Sequence, residues 1–585
     1  MSIPSATPTE PGDRGAEGRT AVDVAQLRIA GLDDREIFDA TTWIALRPAF
    51  ATVNGALRAA PDPELRTKAP PRSGPRSPSA GDGSLVRVRG RVRSCRMRPG
   101  GVGLRRSPPR GVGMKLGRAL VLAVVVAVPL AAPATATPPD AASATATPPD
   151  VATAQVAQAV RAGTLGQGHG VADSCTGVVQ GHQVDLGCLT NVVTRDKASA
   201  DPLTTPAPAG FSPADLARAY HLPDAKTGER GMVTIVGIGA YPTLEADLTT
   251  YRSQFGLPEC TTANGCLKIA DYHGGPALKP VGGLGEIEEA YATETALDVD
   301  LASAACPMCR ITMVQIPMDV GRLLNAVLLQ LPGLLADDFG TAVSYAASQH
   351  SSAVSMSYGV PTGLQGDYLG TGAPAVALHH PGMAVVAASG DKGYLGGPQL
   401  WPQELPWVTS VGGTSLSGAG GSFVQKAWGS LFAPHGEQQR WVGAGSGCAL
   451  DLGPAQGQPA GIAANCSGHR AGSDVSAVAD PLTGVAVYRS YAPNNGKAGW
   501  LIVGGTSAAS PFVAGLYARG GRLSGVDGPN TLYSAPLGTL ADVSSGSNAQ
   551  HGPADCAQFK PVVCSAGPGW DGPTGLGVPV GLGAF

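Results

Sequence analysis

Two acidic side chains lie four residues apart in an otherwise apolar stretch, Glu294-Thr-Ala-Leu-Asp298. Residues at i and i+4 of a helix share a face, so the spacing predicts two neighbouring carboxyl groups on a buried surface. Two such groups repel each other when both are ionised, so the pair should share a proton and titrate together. The alternative is a solvated acidic face, which is how we interpret the nearby Glu286, Glu288 and Glu289.

A possible nucleophile follows a glycine-rich turn in Val503-Gly-Gly-Thr-Ser507. This turn would place the Ser507 hydroxyl at a helix N-terminus, where free N–H groups favour a developing oxyanion. A Ser or Thr helix cap would give the same pattern. Serine also needs a base within hydrogen-bond reach, and no histidine has the His-Gly-Thr context of a subtilisin-type enzyme. His169-Gly-Val, for example, lies upstream of the first apolar strand of the α/β region.

A third acidic residue, Asp391, follows an apolar strand in the turn Ala387-Ala-Ser-Gly-Asp391. The carboxyl end of a strand would present this side chain to the active face of a sheet. A carboxyl group donates a hydrogen bond only while protonated, so a place in an oxyanion hole requires a raised pKa or an acidic medium. A turn-forming aspartate is the alternative.

Together these three motifs resemble the sedolisin family of serine-carboxyl peptidases, which carries an E-x-x-x-D pair, an S-G-D turn and a G-T-S-x-x-x-P helix in this order. The resemblance covers the chain from about residue 206 to the C-terminus. Three further stretches support it, namely Val354-Ser-Met-Ser-Tyr-Gly, Pro406-Trp-Val-Thr-Ser-Val-Gly-Gly-Thr and Ser473-Asp-Val-Ser-Ala-Val-Ala-Asp-Pro-Leu-Thr-Gly.

The resemblance implies a role for each candidate residue. Ser507 would be the nucleophile, Glu294 the base and Asp298 the acid that orients Glu294, while Asp391 would donate to the oxyanion. The chain would then be an endopeptidase that works through an acyl-enzyme at acidic pH. The alternatives are a subtilisin-type protease with an unrecognised histidine and a catalytically inactive binding protein on the same scaffold.

The same resemblance implies one structural calcium ion near the C-terminus. Calcium takes oxygen ligands. The carboxylates of Asp542 and Asp571 and the carbonyls of Val543, Gly567 and Gly569 would supply them. Glycine turns with surface aspartates are the alternative interpretation.

Apolar strands alternate with segments of helical period from about residue 211 onward. The predicted strands begin at Met232, Ile311, Ala353, Met383 and Val408, and the predicted helical stretches lie near 286–304, 321–330 and 339–349. Near-continuous apolar strands are typical of a parallel sheet covered on both faces. We therefore expect an α/β fold with a mainly parallel central sheet and helices on both faces, and the resemblance makes it a subtilisin-like three-layer fold.

The regions before the predicted peptidase domain (206–585) differ in composition. Residues 1–113 are basic, which indicates either a disordered extension or upstream sequence included by a misplaced start codon. Residues 114–136 have the charged start, apolar run and small-residue end of a secretory signal peptide. Residues 137–205 begin within a duplicated Ala-Thr-Ala-Thr-Pro-Pro-Asp block, which favours a low-complexity linker or a reduced prosegment.

The cysteines also favour a secreted protein. Of 11 cysteines only Cys95 precedes Met114, which leaves an even number for disulfides. Pairing of sequence neighbours would join 175 with 188, 260 with 266, 306 with 309, 448 with 466 and 556 with 564. The net charge of −3 gives no reason to expect nucleic acid or a membrane surface as partner. We expect a secreted monomer that acts on polypeptides.

Overall fold

The computed structural model describes residues 151–179, 182–225, 231–281, 285–318, 332–360, 366–394, 400–432, 440–493 and 498–585. These residues fall within one compact unit, Ala142–Phe585. The predicted basic region 1–113, the signal peptide 114–136 and the helical stretch 321–330 lie outside the described residues.

The helices of the described residues are, in chain order, α1 (Val151–Ala162), α2 (Pro213–Ala219), α3 (Leu244–Gln254), α4 (Glu286–Ala305), α5 (Pro332–Ser348), α6 (Gly366–Thr371), α7 (Ala373–Ala377), α8 (Ala460–Ala463), α9 (Thr506–Gly520) and α10 (Asn530–Tyr533). The first half of the strands comprises β1 (Val171–Asp173), β2 (Thr176–Val179), β3 (His182–Asp185), β4 (Asn191–Val193), β5 (Met232–Ile238), β6 (Leu267–Asp271), β7 (Arg310–Ile316), β8 (Ala353–Met356), β9 (Ala384–Ala388) and β10 (Thr409–Ala419). The second half comprises β11 (Ser422–Ala427), β12 (Gly429–Phe432), β13 (Arg440–Gly443), β14 (Gly447–Ala449), β15 (Arg470–Gly472), β16 (Val475–Val478), β17 (Val485–Arg489), β18 (Gly499–Gly504), β19 (Leu540–Ala541) and β20 (Val578–Pro579).

The central sheet has the strand order β11-β10-β9-β8-β5-β7-β6, with β16 also paired to β10. Every pairing in it is parallel except that between β10 and β11. The five strands predicted from the sequence are β5, β7, β8, β9 and β10 of this sheet. The mainly parallel sheet is therefore confirmed.

Successive residues of β5 point into two different cores. Val233 and Ile235 pack in a cluster with residues of α4 and α9. Val236 and Ile238 pack on the opposite side, in a cluster with residues of α5. Because neighbouring residues of a strand alternate between faces, the sheet is covered by helices on both sides. The three-layer prediction is confirmed.

The part of the predicted linker that the structure describes contains regular elements. Helix α1 and strands β1 to β4 lie between residues 151 and 193. Strands β1 and β4 join β18 and β17 in an antiparallel sheet of order β1-β4-β18-β17. Residues 151–205 thus contribute strands next to the turn that leads into α9, while their role as linker or reduced prosegment stays a prediction.

The five disulfides join the sequence neighbours predicted above: Cys175–Cys188, Cys260–Cys266, Cys306–Cys309, Cys448–Cys466 and Cys556–Cys564. Among the described residues, no helix combines the length and apolar character needed to span a membrane.

Candidate active site

Helix α4 holds the predicted acid pair inside the protein. Its side chains are buried from Ala290 to its last residue, and it packs against α9. Glu294 and Asp298 are both fully buried. A charged carboxylate in such surroundings is costly unless it is paired or hydrogen-bonded, so these two groups must share their environment with suitable partners.

Burial raises the pKa of Glu294 to about 7, although hydrogen bonds from Thr190, Ser507 and Leu189 oppose the rise. Burial and the charge of Glu294 raise the pKa of Asp298 well above its usual range. Glu294 Oε1 and Asp298 Oδ2 are buried without a close hydrogen-bond partner among the described residues. One proton held between these two oxygens would satisfy both, as expected for neighbouring carboxyl groups that cannot both ionise.

The candidate nucleophile lies at the start of α9. Strand β18 ends at Gly504, Gly505 turns the chain with φ at +112°, and Ser507 is the second residue of the helix. This φ is in the region that favours glycine. The Ser507 side chain is fully buried, and its hydroxyl donates to the Ser357 carbonyl oxygen at 3.4 Å. The Ser507 hydroxyl also acts to lower the pKa of Glu294.

Asp391 follows β9 and lies beside the residue that precedes the nucleophile. Its Oδ1 accepts from both the backbone N–H and the hydroxyl of Thr506, each at 2.8 Å. Burial nevertheless raises the pKa of Asp391 well above its usual range. A protonated carboxyl group beside the N-terminus of α9 can donate a hydrogen bond to an oxyanion.

Ser357 connects the nucleophile to the acid pair. It directly follows β8, whose carboxyl end is at the same sheet edge as that of β9. Its hydroxyl donates to Asp298 Oδ1 at 2.6 Å while its carbonyl oxygen accepts from Ser507. In the sequence, this stretch only supports the family resemblance. The signal that could have identified Ser357 is its position just after an apolar parallel strand.

An additional group of residues reaches the site from the region predicted as linker or prosegment. The Leu189 N–H and the Thr190 hydroxyl donate to Glu294 Oε2, at 3.0 and 2.5 Å respectively. Asn191 Nδ2 lies 2.6 Å from Asp391 Oδ2. Sequence reasoning missed these three residues, and the only local signal was the closely spaced pair Cys175 and Cys188.

Several histidine side chains that the structure describes hydrogen-bond elsewhere. His169 contacts the Thr194 carbonyl, His379 contacts Asp527, and His469 contacts the Leu452 carbonyl. Within these described side chains, no histidine hydrogen-bonds to Ser507. The site therefore offers carboxyl groups, not an imidazole, as proton acceptors for the serine.

The predicted calcium ligands lie on two C-terminal segments, 542–543 and 567–571, which a hydrogen bond joins. Asp542 Oδ2 accepts from the Gly569 N–H at 3.0 Å, and Asp571 Oδ2 accepts from the Gly567 N–H at 3.2 Å. Burial raises the pKa of Asp571 to about 7, and the charge of Asp542 adds to the rise. Two carboxylates that repel each other would supply oxygen ligands of the kind that Ca²⁺ takes.

Several known proteins are similar to this chain in sequence. A model described as the subtilase family matches residues 322–520. Kumamolisin from Bacillus sp. (strain MN-32) is 28% identical over 400 residues, which cover 64% of this chain and 63% of kumamolisin. Tripeptidyl-peptidase sed5 from Aspergillus fumigatus is 33% identical over 219 residues, which cover 34% of this chain and 36% of that protein.

Sedolisin from Pseudomonas sp. (strain 101) is 31% identical over 185 residues, which cover 30% of this chain and 28% of sedolisin. The chain thus spans less than two thirds of the length of each of these relatives. The matched subtilase region contains both Asp391 and Ser507. Over the matched regions, the chain is therefore similar to the serine peptidases kumamolisin and sedolisin and to the subtilase family.

Proposed function

We propose that the chain is a secreted endopeptidase that hydrolyses peptide bonds through Ser507, Glu294 and Asp298, with Asp391 in the oxyanion hole. The observation that carries the proposal is the meeting of these four side chains. The Ser507 hydroxyl acts to lower the pKa of Glu294, Asp298 lies four residues from Glu294 on a buried helix, and Asp391 accepts from the backbone N–H of the residue before Ser507.

The proposed reaction begins with the Ser507 hydroxyl attacking the carbonyl carbon of a peptide bond while Glu294 takes its proton. Asp298 holds Glu294 in place and shares the proton of the acid pair. The Ser507 N–H and a protonated Asp391 would donate to the oxyanion. Glu294 then returns the proton to the leaving amine, and water releases the acyl group by the reverse sequence of proton transfers.

The protonation states require an acidic medium. Asp391 donates only while protonated, and the acid pair works with one proton between its two carboxyl groups. Burial raises the pKa of Glu294 to about 7 and that of Asp391 well above its usual range. We therefore expect activity in acid, where Asp391 keeps its proton, and its loss in alkaline medium, where Asp391 ionises and the acid pair no longer shares a proton.

Endopeptidase action is supported by the path of the chain at the site. Residues on both sides of Leu189 continue in extended form past Ser507. A cleft that holds polypeptide on both sides of the reacting residue suits the cleavage of internal peptide bonds. We also propose one structural calcium ion at Asp542, Val543, Gly567, Gly569 and Asp571, where it would neutralise the facing carboxylates.

A digest of a peptide library by the purified chain, followed by mass spectrometry across pH, tests the proposed function. We expect internal cleavage in acid, no cleavage by Ser507→Ala and retained cleavage by Ser510→Ala. Ser510 lies on the same helix but hydrogen-bonds to Ser355 at 2.9 Å, so it is the matched control. Full activity in alkaline buffer, or equal activity of Ser507→Ala, would contradict the mechanism.

A further inference from the structure

Strands β8 and β9 part at their carboxyl ends, where the proposed active site lies. Their last paired residues are Met356 and Ala387, while β9 stays paired with β10 as far as Ala388. Ser357 directly follows β8, and Asp391 follows β9 in the next turn. Because the two strands no longer pair here, backbone carbonyls that face the opening between them need another hydrogen-bond donor.

The side chain of Gln403 bridges this opening. Its Nε2 donates to the Tyr358 carbonyl oxygen at 3.2 Å and also to the Ala388 carbonyl oxygen. A Cβ at position 359 would lie 2.9 Å from the same nitrogen, so Gly359 leaves room for the amide. One fully buried amide group, with two hydrogens to donate, thus joins the end of β8 to the end of β9.

The backbone that carries Gln403 is itself held from two sides. Trp401 and Val360 pair in an antiparallel bridge, with N–H to carbonyl distances of 2.9 and 3.0 Å. Arg470, which is fully buried and paired with Asp474, donates to the Gln403 carbonyl oxygen at 3.3 Å. The amide is therefore presented to both strands from a fixed position.

The other polar atom of this side chain argues against a purely stabilising role. Gln403 Oε1 is buried and has no hydrogen-bond partner among the described residues. A buried acceptor without a partner costs folding free energy, and an apolar side chain would avoid that cost. Departures of this kind are expected where a residue serves function.

We propose that Gln403 is a positioning residue for the reaction, because its amide fixes how far apart the ends of β8 and β9 stand. This proposal rests on the proposed function. Gln403 acts through Ser357 and Asp391, which lie one and three residues from its two carbonyl partners, Tyr358 and Ala388.

These two residues hold different parts of the proposed site. Ser357 accepts from the Ser507 hydroxyl and donates to Asp298. Asp391 accepts from the N–H and the hydroxyl of Thr506, at the start of α9. A change in the separation of the strand ends would move the nucleophile relative to its proton acceptor and to the oxyanion donor. A displacement of about 1 Å can lower a rate by roughly 10²-fold.

The first test is Gln403→Met, which keeps the length of the side chain but removes both donated hydrogen bonds. We expect kcat to fall roughly 10- to 10²-fold while KM changes less than about threefold, because misplaced groups impair the chemical step more than binding. The measurement is steady-state hydrolysis, in acid, of a peptide identified in the library digest. Gln458→Met is the matched control. It removes a buried amide that donates to the Ala471 carbonyl and the Tyr533 hydroxyl, so it should lower the melting temperature but keep the parent kcat.

A second variant, Gln403→Glu, separates hydrogen bonding from the filling of space. Its carboxyl group donates one hydrogen bond while protonated and none once ionised. In acid we expect its kcat to exceed that of Gln403→Met by roughly threefold or more, and we expect this advantage to vanish as rising pH ionises the new carboxyl group. A side chain that only filled space would give equal values of kcat in both variants at every pH.

Parent kcat in Gln403→Met overturns the positioning role, and so does a Gln403→Glu variant that is no faster than Gln403→Met at any pH. If Gln403→Met does not fold, the ratio of kcat in Gln403→Glu to kcat in the parent chain decides. This ratio must fall as the pH rises, and a constant ratio overturns the proposal. All these outcomes leave the proposed function in place, whereas a parent chain that digests no peptide at any pH overturns the proposed function itself.

Discussion

Ser357 shows how one residue could couple the proposed nucleophile to its proposed proton acceptors. Its hydroxyl serves Asp298 while its carbonyl oxygen receives the Ser507 hydroxyl. Asp298 in turn lies four residues from Glu294 on a fully buried helix face. The proposed chemistry would therefore depend on keeping water away from the acid pair, because burial is what raises the pKa of such a pair enough to retain a shared proton.

At the residue scale, we predict that Glu294→Gln lowers kcat by roughly 10²- to 10⁴-fold, the range typical for loss of a general base. Glutamine keeps the shape of the side chain but cannot accept the Ser507 proton. The measurement is steady-state hydrolysis of a library-derived peptide in acid. Glu286→Gln, at an exposed position on the same helix, should retain the parent rate. A Glu294→Gln variant as fast as this control would remove Glu294 from the mechanism.

The sequence was informative about single residues wherever a motif fixed their surroundings. Glu294, Asp298, Asp391 and Ser507 were all proposed from local patterns, and the structure brings them together. Leu189, Thr190 and Asn191 could not be proposed in this way. Their importance comes from a long-range pairing with β18, and no local periodicity encodes such a register.

At the element scale, the turn between β18 and α9 determines what can approach the nucleophile. A side chain at Gly505 would collide with the Leu189 carbonyl oxygen and would come within 2.6 Å of Asp391 Oδ2. Glycine is needed there for its φ as well as for space. The same glycine thus admits a peptide carbonyl and keeps the acid of β9 within reach of it.

The C-terminal loop 567–571 provides a prediction at this scale. If calcium binds there, chelation with EGTA should lower the melting temperature, since an ion that binds only the folded state stabilises it. Asp571→Asn should remove most of this response, because Asp571 is the buried carboxylate of the set. Differential scanning fluorimetry with and without EGTA makes the measurement. Asp527→Asn, outside the loop, is the control, and an equal EGTA response in Asp571→Asn would refute the assignment.

The elements themselves were largely predictable. The strands from β5 to β10 that the sequence identified are apolar runs bounded by turns, and α4 has an apolar helical pattern. Strands β1 to β4 were not identified, because they are three or four residues long. Strands this short derive their stability from the partner strands, so composition alone does not reveal them.

At the scale of the whole molecule, buried carboxyl groups link stability to pH. Burial raises the pKa of Glu404 to about 8 and that of Glu294 to about 7. A raised pKa means that the folded state binds the proton more tightly than the unfolded state. The contribution of these two carboxyl groups to the stability of the fold is therefore fully present below pH 4.5. It is lost as the pH rises through their pKa values in the folded state.

We accordingly predict that the melting temperature falls between about pH 4.5 and pH 8. Glu404→Gln should reduce the fall, because glutamine stays neutral at every pH and Glu404 lies outside the proposed active site. Glu286→Gln, at an exposed position, should leave the dependence of the melting temperature on pH unchanged. Calorimetry at saturating calcium makes the comparison. A melting temperature that rises steadily over this range would show that ion pairs outweigh these buried acids.

The position of the Cys175–Cys188 crosslink determines how the two pieces separate when a protease cuts the chain between residues 189 and 259. Both of its sulfurs belong to the upstream piece, and the other four crosslinks lie wholly downstream, each closing 18 residues or fewer. Among the cysteines that the structure describes, none would then tie one product to the other. The upstream piece can dissociate in an oxidising environment without any thiol, so electrophoresis should resolve both fragments equally well with and without dithiothreitol.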